Sequence, residues 1–148
     1  MKLKDLMSLQ PHCCTRETSL RDAAEMMCEH DCGAIPVVDS ADRSKPIGII
    51  TDRDIACRAV AKGKDSTSTT VGDCMTANPA TIELNSSIED CCNAMEDARI
   101  RRMLVVDSKG RLCGIVSQAD IALQMAEDQA AELVREISQR TVEPSLAG

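Results

Sequence analysis

The chain is one sequence unit written twice, and this repeat limits the possible folds more than any other feature. At an offset of 68 residues, "DLMSLQPHCCTRETSLRDAAEMM" (5–27) aligns with "DCMTANPATIELNSSIEDCCNAM" (73–95). The same offset places "PVVDS" (36–40) on "LVVDS" (104–108). The offset then becomes 66, because the turn that follows is two residues longer in the first copy. A repeat of this length indicates an internal duplication.

Each copy has the same order of predicted elements, β-α-β-β-α. A short apolar segment precedes a helix that begins at Ser19 or Ser87, each three residues before an aspartate. Two β-branched runs joined by a polar turn predict a hairpin, and a second helix follows. One copy of about 60 residues cannot bury its apolar face alone. We therefore expect an α+β fold in which two repeats pack sheet to sheet about a pseudo-twofold axis, leaving two equivalent clefts.

The expected boundaries follow from the repeat and from composition. Repeat 1 is predicted at 3–62, a polar linker at 63–70 and repeat 2 at 71–125. An amphipathic C-terminal helix and tail are predicted at 126–148. Apolar runs are only a few residues long, far from the roughly 20 of a membrane helix, so no membrane association is expected.

Charge and composition exclude further classes of function. The formal net charge is −7, so the chain gains little from nucleic acid or from anionic membranes. An anionic ligand needs a local basic cluster, and "RIRR" (99–102) is the obvious one. Phe, Tyr and Trp are absent, so no aromatic side chain is available to stack on a base.

The nine cysteines are odd in number and accompany no apolar secretion segment, which favours a cytoplasmic protein with free thiols. Seven of them align with apolar residues of the other copy and are expected in the core. Cys13 and Cys28 align with polar residues and are the candidates for a redox role. "HCC" (12–14) and "CEHDC" (28–32) lack the paired CxxC spacing of a zinc site, so no metal is expected.

No enzyme signature accompanies these features. The two histidines lie in different settings, His12 beside a loop and His30 near a helix end. The sequence contains no glycine-rich phosphate loop and no nucleophile motif. We therefore expect no catalysis.

The segments "GIITDRDI" and "GIVSQADI" each place a hydroxyl residue three positions before an aspartate, Thr51 with Asp54 and Ser117 with Asp120. From spacing alone this is a helix capping box, worth roughly 1 kcal/mol. The alternative is a ribose site, in which the carboxylate accepts both hydroxyls of the diol and the helix start favours a phosphate. The capping box and the ribose site are compatible with each other, because a capping hydroxyl keeps a free lone pair that can contact a ligand.

These motifs together resemble the cystathionine-β-synthase (CBS) domain. "DLMSLQP" and "DCMTANP", then "GAIPVVD" and "RRMLVVD", then the two hydroxyl–aspartate segments occur in order from about residue 3 to 125. The chain thus resembles a stand-alone tandem pair, or Bateman module. The resemblance implies a cytoplasmic regulatory sensor that binds AMP, ADP, ATP, NAD or S-adenosylmethionine, requires no other cofactor, forms a homodimer and signals to an unknown regulated protein.

The resemblance also implies which residues form each cleft. Thr51 and Asp54, with Arg53 nearby, would meet four residues of repeat 2: Ala80, Ile82, Arg101 and Arg102. Ser117 and Asp120 would meet three residues of repeat 1: Cys14, Gly33 and Ala34. Only the first cleft has a guanidinium pair, so we expect it to be the better nucleotide site.

Three alternatives to this interpretation remain open. In the first, Arg101 and Arg102 bind no phosphate and are solvated at the strand start or pair with Asp97. In the second, the clefts are empty and the chain is a structural or interaction module. In the third, the chain is a thiol redox sensor.

Overall fold

The computed structural model describes residues 2–9, 12–124 and 134–138. Within these ranges the strands are β1 (Ser8–Leu9), β2 (Ala34–Val38), β3 (Pro46–Thr51), β4 (Thr76–Ala77), β5 (Thr81–Glu83), β6 (Arg102–Val106) and β7 (Leu112–Ser117). The α-helices are α1 (Leu20–Glu29), α2 (Asp52–Arg58), α3 (Val71–Cys74), α4 (Ile88–Ala98) and α5 (Gln118–Gln124). Residues 134–138 of the predicted C-terminal helix are helical, and the rest of that prediction lies outside the described residues.

The strands form two sheets with the predicted hairpin, β2–β3 or β6–β7, in each. The predicted first strand of repeat 2 is β5, which runs parallel to β6. Its equivalent in repeat 1 is a single parallel bridge between Cys14 and Val37. The α+β prediction is therefore confirmed, with a shorter first strand in repeat 1.

The segment that leads into each repeat crosses to the sheet of the other repeat. β4 lies at the start of repeat 2 but pairs with β3, and β1 lies at the start of repeat 1 but pairs with β7. Where β4 pairs with β3, a Cβ on Gly48 would lie 2.9 Å from the Thr76 carbonyl oxygen and 2.7 Å from the Met75 sulfur. Gly48 is therefore needed so that the exchanged strand can approach closely.

The exchange extends into the cores. The core of repeat 1 contains Val71, Cys74 and Met75 from the segment leading into repeat 2. The core of repeat 2 contains Leu3 and Leu6 from the N-terminal segment. Each repeat therefore completes its core with residues from the start of the other repeat, as expected for units too small to fold alone.

Strand β2 is buried at all five residues. Ile35 and Val37 face the core under α1, and the alternate residues Ala34 and Val38 are buried on the opposite face. Alternate side chains of a strand point to opposite faces, so both faces of this sheet are covered. This burial agrees with the predicted sheet-to-sheet packing.

The predicted linker lies against repeat 1. The Thr69 carbonyl accepts a hydrogen bond from the Leu20 N–H at 3.0 Å, and the Val71 N–H donates to the Thr18 carbonyl at 2.8 Å. These bonds occupy an orphan donor at the start of α1 and fix the point at which the chain leaves repeat 1.

Candidate functional site

Both hydroxyl–aspartate motifs form capping boxes. The Asp54 N–H donates to Thr51 Oγ1 at 3.0 Å, and the Thr51 N–H donates to Asp54 Oδ2 at 3.1 Å. In repeat 2 the Asp120 N–H donates to Ser117 Oγ at 3.0 Å, and the Ser117 N–H donates to Asp120 Oδ2 at 3.0 Å. Each cap thus uses one carboxylate oxygen and leaves the other to be satisfied elsewhere.

The two aspartates differ in what their second oxygen meets. Asp54 is 9% exposed, and its Oδ1 lies 3.7 Å from Arg58 Nε. Asp120 is half-buried, and its Oδ1 has no hydrogen bond or ion pair within the described part of the chain. Asp120 therefore keeps an acceptor for a ligand, whereas Asp54 is engaged within its own helix.

A cavity of about 1160 Å³, here called the large cavity, lies beside Asp120. It is bounded by the β7–α5 junction, the α4–β6 junction, the α1–β2 junction of repeat 1 and residues 134–138. Its size is ample for a small-molecule ligand. Six predicted site residues line it: Gly33, Ala34, Arg101, Arg102, Ser117 and Asp120.

The position of the arginines differs from the sequence expectation. β6 and β7 are antiparallel with Arg102 opposite Ser117, so the start of β6 lies beside the hydroxyl–aspartate motif of its own repeat. Arg101 and Arg102 therefore line the cavity of Asp120, while Thr51 and Asp54 line neither this cavity nor the smaller one described below. Sequence alone did not predict this grouping, since it depends on strand register.

The remaining predicted residues lie away from both cavities. Cys14 is in the core of repeat 1, where burial raises the pKa of its thiol to about 12. Its repeat equivalent Ile82 packs against the core of repeat 2. Ala80 and Arg53 are exposed. Cys14 is thus a core residue in place of the cleft residue that the resemblance implied.

A second cavity of about 570 Å³, here called the small cavity, is the repeat equivalent of the large one. The repeat alignment carries each of its lining residues except Ile55 onto a residue of the large cavity. The two cavities share one wall: Asp31, Cys32, Gly33 and Arg102. A Cβ on Gly33 would lie 3.2 Å from Arg102 Nη2, so the absent side chain allows this arginine to cross between the repeats.

The chemistry of the equivalent walls differs. Cys28 and Asp31 of the small cavity correspond to Glu96 and Arg99 of the large one. The large cavity also contains Arg101, and none of Arg99, Arg101 and Arg102 has an ion-pair partner among the residues that the structure describes. Arg99 was not among the predicted site residues, although the basic cluster "RIRR" was the signal that marked it.

The structure corrects the placement of the histidines. The rings of His12 and His30 stack, with centroids 3.3 Å apart and planes 9° apart, so the two residues share one setting. His30 also lines the large cavity. Within residues 2–9, 12–124 and 134–138, no group of three or more His, Cys, Asp or Glu side chains is arranged to hold a metal ion.

All nine cysteines are free thiols. Cys74 and Cys91 are buried as their apolar equivalents predict, but Cys57 is exposed, which the alignment did not predict. Of the two redox candidates, Cys28 is exposed, whereas burial raises the pKa of Cys13. A raised pKa reduces the thiolate needed for reaction, which weakens the case for Cys13. Among the described helices, none is long and apolar enough to cross a membrane.

A family profile and a curated relative both match most of the chain. The sequence profile of the family described as "CBS domain" matches residues 3–59 and 71–127. Hypoxic response protein 1 of Mycobacterium tuberculosis is 36% identical over 134 residues, which cover 90% of this chain and 92% of that protein.

Two solved structures have the same fold and more than 30% identity. A crystal structure of Hypoxic Response Protein I, which contains two coordinated zinc ions, has a TM-score of 0.76 and 34% identity, covering 85% of this chain and 100% of that one. The CBS domain pair of protein MJ0100, in complex with 5′-methylthioadenosine and S-adenosyl-L-methionine, has a TM-score of 0.73 and 31% identity. That match covers 83% of this chain and 98% of the other.

Proposed function

This chain belongs to the CBS domain family as a tandem pair, and from this premise we propose that it is a regulatory module that binds an adenosine-containing ligand in the large cavity. The observation that carries the proposal is the position of Asp120 in the wall of the large cavity, where its second carboxylate oxygen and the guanidiniums of Arg99, Arg101 and Arg102 have no ion-pair partner among residues 2–9, 12–124 and 134–138. The Asp120 carboxylate accepts the ribose diol, and the arginines bind a phosphate. We propose no catalytic step.

The apolar part of the wall suits adenine. Ala34, Ile100, Ile115 and Ala122 line the large cavity, so the base lies between aliphatic side chains in a chain that has no aromatic residue. The MJ0100 pair, at 31% identity, was solved with two adenosyl compounds, which supports the same ligand class here. AMP, ADP, ATP, NAD and S-adenosylmethionine are the candidates.

Signalling follows from the composition of the cavity. Gly33 and Ala34 come from repeat 1, whereas Ser117 and Asp120 come from repeat 2. A ligand that contacts both repeats binds one relative arrangement more tightly than another and shifts the population toward it. A partner protein that contacts both repeats would detect this shift.

We also propose a homodimer that forms through α2 and α5. Leu123 on α5 is 80% exposed, and its repeat equivalent on α2, Cys57, is exposed as well. Val60, just after α2, is 70% exposed. Exposed apolar positions on equivalent helices support a self-complementary surface. The nine free thiols support a reducing, cytoplasmic location.

Thermal denaturation with the five candidate ligands tests the proposal. A ligand at 100 times its dissociation constant stabilises the folded state by about 2.7 kcal/mol. For a chain of this size this raises Tm by roughly 5–10 °C. Arg101→Gln should reduce the shift, whereas Arg53→Gln, a change at an exposed arginine outside both cavities, should keep it.

No shift with any of the five at millimolar concentration contradicts the ligand proposal. The motifs would then act as helix caps in an interaction module.

A further inference from the structure

Helices α1 and α4 are each followed within two residues by a residue with left-handed backbone. Asp31 has φ 48° and Arg99 has φ 56°. The residue after each donates its N–H back to the last turn, Cys32 to the Met27 carbonyl at 3.0 Å and Ile100 to the Met95 carbonyl at 2.9 Å. Glycine is the usual residue at this capping position, because a Cβ disfavours a positive φ.

An arginine is an unfavourable choice at such a position. Asn, Asp and His are the residues enriched at positive φ, so Asp31 is tolerated more readily than Arg99. The backbone at both sites would be satisfied by glycine, and the arginine side chain adds nothing to the cap. A strained residue that persists in a cavity wall points to a role of its side chain.

The Arg99 guanidinium is in a suitable place for such a role. Arg99 lines the large cavity together with Arg101 and Arg102, and none of the three has an ion-pair partner within the described ranges. Four carboxylates also line this cavity, those of Asp31, Glu96, Asp120 and Glu136. The negative group of a ligand must therefore lie where "RIRR" brings the arginines together. At the equivalent position, repeat 1 has the carboxylate of Asp31.

We infer that Arg99 is a specificity-determining residue of the large cavity, which contacts the phosphate of the ligand and selects a phosphorylated adenosine such as AMP over an uncharged or sulfonium adenosyl compound. This inference rests on the proposed function. The strained backbone at Arg99 is retained because only a long cationic side chain at this position reaches the phosphate.

Arg99→Gly separates the effect of the arginine on stability from its effect on ligand binding, because the substitution should raise stability and weaken phosphate binding. Removal of the strain should raise the Tm of the unliganded protein by roughly 2–4 °C. Loss of one charge-assisted contact should lower the ratio of the dissociation constants for adenosine and AMP about tenfold, as measured by calorimetry. A gain in stability together with a loss of phosphate preference is the expected result.

Asp31→Gly is the matched control at the equivalent position. It should raise Tm similarly, and AMP should bind at least as tightly as in the wild type, because a carboxylate leaves the cavity wall. If Asp31→Gly weakens AMP as much as Arg99→Gly does, the effect comes from the backbone and the inference is wrong.

Three further outcomes keep the inference distinct from the proposed function. Wild-type protein that binds AMP, with Arg99→Gly retaining the full preference over adenosine, overturns the role of Arg99 and leaves the ligand proposal standing. Wild-type protein that binds S-adenosylmethionine but not AMP also overturns only the inference, whereas wild-type protein that binds none of the five candidate ligands contradicts the proposed function itself.

Discussion

Alanine substitution of the two capping aspartates separates their structural role from ligand binding. Asp54 and Asp120 make the same pair of backbone hydrogen bonds, with lengths that agree within 0.1 Å. Only Asp120 lies in the large cavity, and only Asp54 is paired with Arg58. We expect Asp54→Ala to lower stability more, and Asp120→Ala to lower AMP binding more.

The magnitudes follow from the contacts. Each substitution removes one carboxylate hydrogen bond and a negative charge at a helix start, together about 1 kcal/mol. Asp54 is 9% exposed, and its ion pair with Arg58, whose side chain is 51% exposed, adds at most about 1 kcal/mol after screening. Tm should therefore fall by about 3 °C for Asp120→Ala and by about 6 °C for Asp54→Ala. Loss of the charge-assisted bonds to ribose should weaken AMP roughly 10- to 100-fold in Asp120→Ala alone.

Melting curves with and without AMP measure both quantities in one assay. The expected pattern is a larger Tm loss with a normal AMP shift for Asp54→Ala, and a smaller loss with a much reduced shift for Asp120→Ala. The opposite pattern would assign the ligand to Asp54, as the sequence argument expected, and would refute the reasoning from the cavity.

Three other changes test separate features. Leu123→Glu places a charge on the exposed face proposed for dimerisation, so light scattering should report a monomer with little loss of Tm; a persistent dimer contradicts this surface. Burial raises the pKa of Cys14 to about 12, whereas Cys28 is exposed. Brief alkylation at about pH 8 should therefore label Cys28 and spare Cys14, as measured by peptide mass spectrometry. Equal labelling of the two thiols contradicts the burial of Cys14. The N–H of Arg111 is the main cause that lowers the pKa of Asp107 in the folded state. Asp107 thus stabilises the fold above its unfolded pKa of about 3.9, and this contribution is lost as pH falls through the lower folded value. Asp107→Asn should flatten the acid side of the Tm–pH curve, and an unchanged curve contradicts this.

Local features of the fold were readable from the sequence because their physical causes are local. Ser19 and Ser87 cap α1 and α4 by accepting the N–H of the aspartate three residues later, as their spacing predicted. The β-branched runs form the two hairpins. Each of these signals is contained within one short stretch of the chain, so the hydrophobic pattern and the intrinsic propensities of the residues were sufficient to predict the element.

The exchange of the leading segments was not readable from the sequence. β1 and β4 have two residues each, too short for any alternation pattern, and their partners are distant in the chain. Gly48 leaves room for Met75 and for the backbone of the exchanged strand. A glycine signals a close approach, but the approaching group is set by tertiary structure.

The dependence on tertiary structure also explains why the sequence did not predict which hydroxyl–aspartate motif the arginines lie beside. The resemblance placed Arg102 across the axis at Asp54. The antiparallel register of β6 and β7 pairs its backbone with Ser117 of its own repeat, and Arg102 also lines the small cavity with Asp52 and Ile55, the neighbours of Asp54. Register is decided by the pairing of whole strands, which single residues do not reveal.

The duplication explains why the large cavity contains a cluster of arginines and the small cavity only Arg102. Equivalent backbone positions have opposite chemistry: Arg99 and Arg101 in repeat 2 correspond to Asp31 and Gly33 in repeat 1. Gly33 has a second effect, because its missing Cβ leaves space for the Arg102 guanidinium at the wall that both cavities share. The cluster of three arginines in the large cavity therefore includes one whose position depends on a small residue in the other repeat.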